Sequence, residues 1–90
     1  MLWSLEGAGF CAQGEALEWI QGGRIELGGE LPMNTSGGMM SEAYLQGWNN
    51  VAEAARQIRG ECGARQVADC NNVLYVCLAG VSNMVLFSRA

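Results

Sequence analysis

The sequence contains no histidine, no lysine and one proline, and its five basic residues, all arginine, face nine acidic ones. Without histidine, the chain has no Ser-His or Cys-His nucleophile pair and lacks the commonest metal ligand. A net charge of −4 is unlike the clustered positive charge of a nucleic-acid-binding protein. No apolar run approaches the ~20 residues of a membrane span. We therefore predict no metal site, no nucleic-acid partner and no membrane span.

The four cysteines and the N-terminus suggest a compartment. No basic residue precedes the first apolar residues, which argues against a secretory signal. The cysteines form no C-x-x-C pair, and Cys77 lies in apolar surroundings. We predict reduced thiols and a cytoplasmic location. Cys11, Cys62 and Cys70 are interpreted as small, partly buried residues.

One long helical pattern dominates the middle of the chain. Apolar residues recur at three- and four-residue spacing from about residue 41 to residue 59, which predicts an amphipathic α-helix. Ser36 or Ser41 is the expected N-cap, and Gly60 and Gly63 are expected to end the helix. Its apolar face comprises Tyr44, Leu45, Trp48, Val51, Ala52, Ala55 and Ile58.

Weaker patterns precede this helix. Residues 1–10 have the apolar spacing expected at the end of an amphipathic helix. Gly7 and Gly9 indicate where the helix stops, and no capping residue marks its start. Residues 24–27 alternate like a short strand or a surface ribbon between two glycine pairs. Pro32 predicts an extended stretch outside any central hydrogen-bonded ladder.

The C-terminal part is strongly apolar. Residues 73–78 and 84–87 are typical of strands buried on both faces, and their short connection predicts an antiparallel pair. One long helix cannot cover two sheet faces. We predict an α/β fold in which residues 1–90 form one incomplete layered domain, completed by an upstream part of a longer polypeptide or by another subunit. Alternatively, the chain is a stand-alone, non-catalytic binding module that dimerises through its exposed apolar sheet.

Three places could carry chemistry. Gly37 and Gly38 expose backbone N–H groups before the long helix, and Asn34 adds a side-chain amide, so this turn could hold a carbonyl oxygen or an anion. Tyr44 could act as a general acid or base if its surroundings assist. Cys77 ends a buried strand, where α/β folds place functional groups. A helix-entry turn, a core tyrosine and an ordinary buried cysteine are the commoner explanations of each pattern alone.

Together these segments resemble a known family. Residues 34–50 (NTSGGMMSEAYLQGWNN) and residues 63–67 (GARQV) resemble thiolase-like enzymes of the lipid-transfer, or sterol-carrier, type. The resemblance covers nearly all of the chain but corresponds only to the C-terminal part of such an enzyme. It implies an incomplete C-terminal half of a thiolase-fold α/β/α domain.

The resemblance also implies an activity. In thiolases an Asn-x-x-Gly-Gly segment leads into a Gly-His-Pro motif, and here Tyr44 stands in place of the histidine. This difference resembles the branch that cleaves β-hydroxyacyl-CoA thioesters by a retro-aldol reaction, such as steroid side-chain intermediates. In that branch Tyr44 would remove the β-hydroxyl proton, while amide donors near Asn34 and Gly38 hold the thioester enolate. Acyl transfer, as in acetyl-CoA acetyltransferases, is the other activity that the family implies.

Further expectations follow from the same resemblance. Cys77 falls near the family's late Cys-x-Gly motif, although Ala79 replaces the glycine. The substrate would be an acyl-CoA thioester, and no other cofactor is expected. The missing N-terminal half would carry the nucleophilic cysteine. The complete enzyme would be a homodimer that works with an OB-fold/zinc-ribbon partner, and the 90-residue chain alone would be inactive.

Overall fold

The computed structural model describes residues 1–38, 40–42, 45–79 and 81–89, with only the backbone at residues 78, 79, 81 and 82. Short helices lie in the N-terminal part, and one longer helix precedes two strands. A 3-10 turn connects that helix to the strands. The elements are α1 (Leu2–Gly7), α2 (Ala16–Trp19), α3 (Trp48–Arg59), the 3-10 turn (Gly63–Arg65), β1 (Asn72–Ala79) and β2 (Val81–Ser88).

The predicted antiparallel strand pair is confirmed. β1 and β2 pair with Asn72 opposite Ser88 and Ala79 opposite Val81. Each strand has 8 residues, so both extend beyond the apolar runs that predicted them. The extension arises because backbone pairing continues into the polar flanks, which hydropathy alone does not mark.

One face of the strand pair packs on α3 and the other is open. Tyr75 reaches the start of α3 and approaches Gly47 closely. On the opposite face Leu74 pairs with Leu86, and Leu86 is 63% exposed. Since side chains alternate between the faces of a strand, this second face carries the apolar residues Leu74, Met84 and Leu86, with no covering layer among the described residues. The arrangement is that of a partial α/β domain.

Helix α3 begins at Trp48, not near Ser41 as predicted. The backbone before it is left-handed, with φ of 54° at Gln46 and 91° at Gly47, and an α-helix cannot pass through such residues. Gly47 is therefore the N-cap, and no side chain caps the helix. Neither Ser36 nor Ser41 has the predicted capping role. The predicted end is confirmed, because Gly60 is the left-handed C-cap.

Replacing Gly47 by alanine should destabilise the protein by at least ~1 kcal/mol, because its φ is positive and a Cβ would collide with the Tyr75 hydroxyl. Gly7→Ala is the matched control, since nothing lies within 4 Å of a Cβ there. Urea unfolding midpoints of the two variants test this expectation. Equal midpoints would show that the start of α3 tolerates a side chain.

The side of α3 that is buried is mostly polar. Three of its four buried residues are Asn49, Glu53 and Gln57, and the fourth is Ala54. Trp48, on the predicted apolar face, is 71% exposed. Buried polar side chains are stable when they are hydrogen-bonded. Glu53 and Gln57 meet that condition, as shown below, and Asn49 meets it at Nδ2 but not at Oδ1.

The N-terminal part agrees with the predicted helix end but contains no strand. Leu5 of α1 and Ala16 of α2 are both buried. Residues 24–27 form turns, so the strand interpretation is wrong. Two backbone bonds nevertheless close this segment as a ribbon, and they flank Pro32, which has no N–H to lose. The bonds run from Leu31 N to Arg24 O (2.9 Å) and from Met33 N to Ile25 O (3.0 Å).

In the described ranges, no helix has both the length and the apolar character needed to cross a membrane.

Candidate functional site

Residues 34–38, called the glycine loop from here on, fold into a tight turn of left-handed residues. The φ angles are 49° at Asn34, 92° at Gly37 and 75° at Gly38. The Gly37 N–H donates to the Asn34 carbonyl at 2.8 Å, and a Cβ at Gly37 would lie 2.6 Å from the Ser41 side chain. Gly37 therefore shapes the turn. Asn34 is exposed.

Thr35 attaches the glycine loop to α3. Its hydroxyl donates to Glu53 Oε1 at 2.8 Å and accepts from Gln57 Nε2 at 3.1 Å. Glu53 and Gln57 lie one turn apart and project from the same face of the helix. The loop is thus attached to α3 at Thr35, the residue that follows Asn34.

Arg65 neutralises the carboxylate that holds Thr35. Its Nε and Nη2 atoms each lie 2.9 Å from a different oxygen of Glu53, which is a bidentate, charge-assisted pair. Glu53 is 6% exposed. The hydrogen bonds from Arg65, followed by those from Thr35 and Gln57, outweigh burial and lower the pKa of Glu53 to about 2. We call Thr35, Glu53, Gln57 and Arg65 the Glu53 network.

Gln57 also fastens the segment that follows α3. Its Nε2 donates to the Arg65 carbonyl at 2.8 Å, and its Oε1 accepts from the Val67 N–H at 2.9 Å. Gln66 Nε2 returns a bond to the Gln57 carbonyl at 2.9 Å. These reciprocal bonds hold residues 65–67 against the helix, and they orient Arg65 toward Glu53.

All four cysteines are unpaired, as predicted. Cys62 is buried beside the Glu53 network, with its thiol 3.7 Å from Glu53 Oε1. Burial, followed by the Glu53 carboxylate, raises the pKa of the Cys62 thiol, which favours its protonated form. Across the described part of the chain, no cluster of His, Cys, Asp or Glu side chains could hold a metal ion.

A second group of polar residues lies between the glycine loop and the start of α3. Glu42 Oε2 accepts from the Ser36 hydroxyl at 3.3 Å and from Asn49 Nδ2 at 3.1 Å. Asn49 is 8% exposed, and its Oδ1 has no hydrogen-bond partner among the described residues. Glu42 is itself exposed, so this tether is more open to water than the one at Thr35.

The structure brings some of the predicted site residues together. Asn34, Gly37 and Gly38 share the glycine loop. Cys77 lies in β1, half-buried and opposite Asn83. Tyr44 lies outside the described residues. The roles predicted for all five in substrate binding or catalysis stay predictions.

Sequence reasoning missed the Glu53 network. A usable signal was present, because Glu53 and Gln57 have the i, i+4 spacing of one helix face and Arg65 lies in the GARQV run that carries the resemblance. If the apolar side of α3 packs against another layer of the complete protein, its polar side must pack within this chain. Glu53 on that side then needs a basic partner, and Arg65 follows the helix end by a few residues.

Comparison with known proteins confirms the resemblance. A family model described as "Thiolase C-terminal domain-like" matches residues 1–86. The chain therefore belongs to the thiolase C-terminal domain-like family, and its α/β fold is that of a partial domain of this family. No solved structure matches the chain significantly.

Three curated proteins illustrate what the chain is similar to. A steroid side-chain-cleaving aldolase of Thermomonospora curvata is 49% identical over 77 residues, which are 86% of this chain and 19% of the relative. A 17-hydroxy-3-oxo-4-pregnene-20-carboxyl-CoA lyase of Mycobacterium tuberculosis is 48% identical over 77 residues, 86% of this chain and 20% of the relative. An acetyl-CoA acetyltransferase of Methanothermobacter thermautotrophicus is 36% identical over 67 residues, 71% of this chain and 18% of the relative. The chain thus spans about a fifth of the length of these relatives.

Proposed function

We propose that this chain is the C-terminal portion of a thiolase-superfamily enzyme that cleaves a β-hydroxyacyl-CoA thioester by a retro-aldol reaction. The observation that carries the choice over acyl transfer is the similarity to the aldolase and the lyase, at 49% and 48% identity, against 36% for the acetyltransferase. The absence of histidine agrees with this choice, because the thiolase mechanism uses one.

The proposed reaction assigns one step to each site residue. Tyr44, as the phenolate, takes the proton of the β-hydroxyl group and becomes the phenol. The carbon–carbon bond then breaks, its electron pair moves into the thioester to form an enolate, and the β-carbon becomes a carbonyl. The Asn34 side-chain amide and the Gly38 N–H stabilise the enolate oxygen. Cys77 supplies the proton that converts the enolate into the shortened acyl-CoA. Because the electron pair stays within the substrate, no redox cofactor is needed.

The glycine loop supports this assignment through its rigidity. Stabilising a developing charge requires donors that are already oriented before the reaction. The 2.8 Å bond from Thr35 to Glu53 fixes the loop between Asn34 and Gly38. Since Gly37 N–H is engaged with the Asn34 carbonyl, the proposed contribution of Gly37 to substrate binding is to shape the loop.

The proposal extends to partners. A preceding segment of the same polypeptide would cover the open sheet face and carry the nucleophilic cysteine position of the family. The complete enzyme would be a cytoplasmic homodimer that works with an OB-fold/zinc-ribbon protein that binds acyl-CoA. The 90 residues alone would be inactive, because the first half of the site would be absent.

The test is a cleavage assay on the polypeptide that includes the preceding segment, alongside the 90-residue chain. The probe is 17-hydroxy-3-oxo-4-pregnene-20-carboxyl-CoA, the thioester in the lyase's name, with the candidate OB-fold/zinc-ribbon protein added. Formation of the 17-ketone, followed by mass spectrometry, is expected for the longer polypeptide and not for the 90 residues. Acyl exchange without ketone formation would overturn the retro-aldol assignment. Enzyme-like turnover by the 90 residues would overturn their proposed inactivity.

The exposed sheet face favours one alternative, a stand-alone module that dimerises. Leu74, Met84 and Leu86 share that face and are 36%, 42% and 63% exposed. Pairing two such faces would bury them without any additional polypeptide. Analytical ultracentrifugation of the 90-residue chain, combined with thermal unfolding, tests this function. A defined dimer with a sharp transition would support it, whereas aggregation or a molten state would support the partial domain.

A further inference from the structure

We propose that Thr35 is a positioning residue that fixes the glycine loop, through Glu53, in the conformation that directs Asn34 and Gly38 at the thioester oxygen. This inference rests on the proposed function and deepens it. The family resemblance assigns no role in the reaction to Thr35 or Glu53. In this proposal the two residues act on the conformation of the loop and do not touch the substrate.

The hydroxyl of Thr35 is fixed in both of its hydrogen-bonding roles. Its proton is directed to Glu53 Oε1 at 2.8 Å, and its oxygen accepts from Gln57 Nε2 at 3.1 Å. A threonine hydroxyl has a single proton to donate, so the first bond sets the orientation of the hydroxyl. Valine has nearly the same shape as threonine and removes both bonds at once.

The acceptor is itself held rigidly. Glu53 Oε1 also accepts from Arg65 Nε at 2.9 Å, while Arg65 Nη2 binds Oε2. Gln57 Nε2 has two protons: one goes to the Arg65 carbonyl, and Thr35 Oγ1 and Glu53 Oε1 (3.2 Å) share the other. The carboxylate is 6% exposed and cannot rotate without breaking a bidentate pair. Thr35 is therefore attached to α3 through a group that is fixed from three sides.

The glycine loop needs such an attachment. Asn34 has a φ of 49°, which costs a non-glycine residue free energy that the surrounding structure must offset. The other tether of the loop, from the Ser36 hydroxyl to Glu42, is longer at 3.3 Å and exposed. We expect the Thr35 bond to be the more important of the two, because water competes less for it.

The experiment compares three variants of the longer polypeptide: Thr35→Val, Thr35→Ser and Ser36→Ala. Thr35→Ser keeps the hydroxyl, and Ser36→Ala is the matched control that removes the neighbouring one. The readouts are kcat and KM for 17-hydroxy-3-oxo-4-pregnene-20-carboxyl-CoA, and amide hydrogen exchange of the peptide that covers residues 34–38. Circular dichroism establishes that each variant is folded. If Thr35→Val does not fold, Thr35→Ala takes its place.

Thr35→Val should lower kcat by about 10-fold or more with little change in KM, because the loop's donors act on charge that develops in the transition state. Hydrogen exchange in residues 34–38 should become faster. Thr35→Ser should restore both readouts, and Ser36→Ala should change them less. A change in stability alone would not produce this separation of kcat from KM, nor rescue by serine.

Three results would overturn the proposal: unchanged kcat in Thr35→Val, equal losses in Thr35→Ser and Thr35→Val, or unchanged exchange in residues 34–38. Failure of the proposed function gives a different result, which is no ketone formation by the unsubstituted polypeptide. In that case hydrogen exchange decides the positioning role without reference to activity. Faster exchange in Thr35→Val but not in Thr35→Ser supports it.

Discussion

Replacing Tyr44 by phenylalanine should reduce turnover of a β-hydroxyacyl-CoA by about 100-fold or more while leaving the protein folded. The phenolate is the proposed base for the β-hydroxyl proton, and phenylalanine keeps the ring while removing the proton acceptor. The measurement is kcat of the longer polypeptide, with thermal unfolding to establish that stability is unchanged.

The chain's only other tyrosine gives a matched control. Tyr75→Phe removes a hydroxyl that lies against Gly47 at the start of α3, far along the sequence from the glycine loop. It should alter stability more than turnover. If the two variants have equal kcat values, Tyr44 is an ordinary structural tyrosine, and the base must be sought in the preceding segment of the polypeptide.

Acid should remove the stabilisation that Glu53 provides, within a defined range of pH. The pKa of Glu53 falls from an ordinary 4.5 to about 2 in the folded protein. A lowered carboxyl pKa stabilises the folded state above the unfolded pKa, and this contribution disappears as the pH falls through the folded value. The window therefore runs from pH 4.5 to about pH 2. A shift of this size corresponds to roughly 3 kcal/mol at neutral pH.

Glu53→Gln should abolish the loss of stability between pH 4.5 and about pH 2 that Glu53 causes. At pH 7 the variant should be less stable by roughly 3 kcal/mol, since Arg65 loses its charged partner, and near pH 2 it should approach the unsubstituted protein. Glu61→Gln, at an exposed position just after α3, is the control and should follow the unsubstituted protein throughout. Urea unfolding between pH 2 and pH 7 measures all three. Parallel pH curves for all three proteins would contradict the assignment of the low pKa to the Glu53 network.

Local sequence patterns were sufficient for part of this fold. The apolar runs near residues 73–78 and 84–87 predicted the antiparallel pair, because their short connection allows no crossover. The end of α3 was also predictable, since Gly60 takes the left-handed conformation that a helix end favours. The family resemblance was carried by residues 34–50 and 63–67, and the match to the family model confirms it.

The start of α3 was not predictable in this way. Apolar periodicity continues through Tyr44 and Leu45, and it contains no information about the left-handed φ angles at Gln46 and Gly47. The approach of Tyr75 from β1 favours a residue without a side chain at position 47. That contact joins residues far apart in sequence, so only the tertiary structure reveals it.

The sequence by itself determined the family and the strand pair, because these depend on residue identity and local periodicity. Only the tertiary structure decided which face of α3 is buried. The polar face is buried because Thr35 and Arg65 supply partners for Glu53 from two other segments. Such partnerships depend on distances between segments, and these are set by packing. The contact between Thr35 of the glycine loop and the Glu53 carboxylate is one of them. The positioning role proposed for Thr35 depends on this contact.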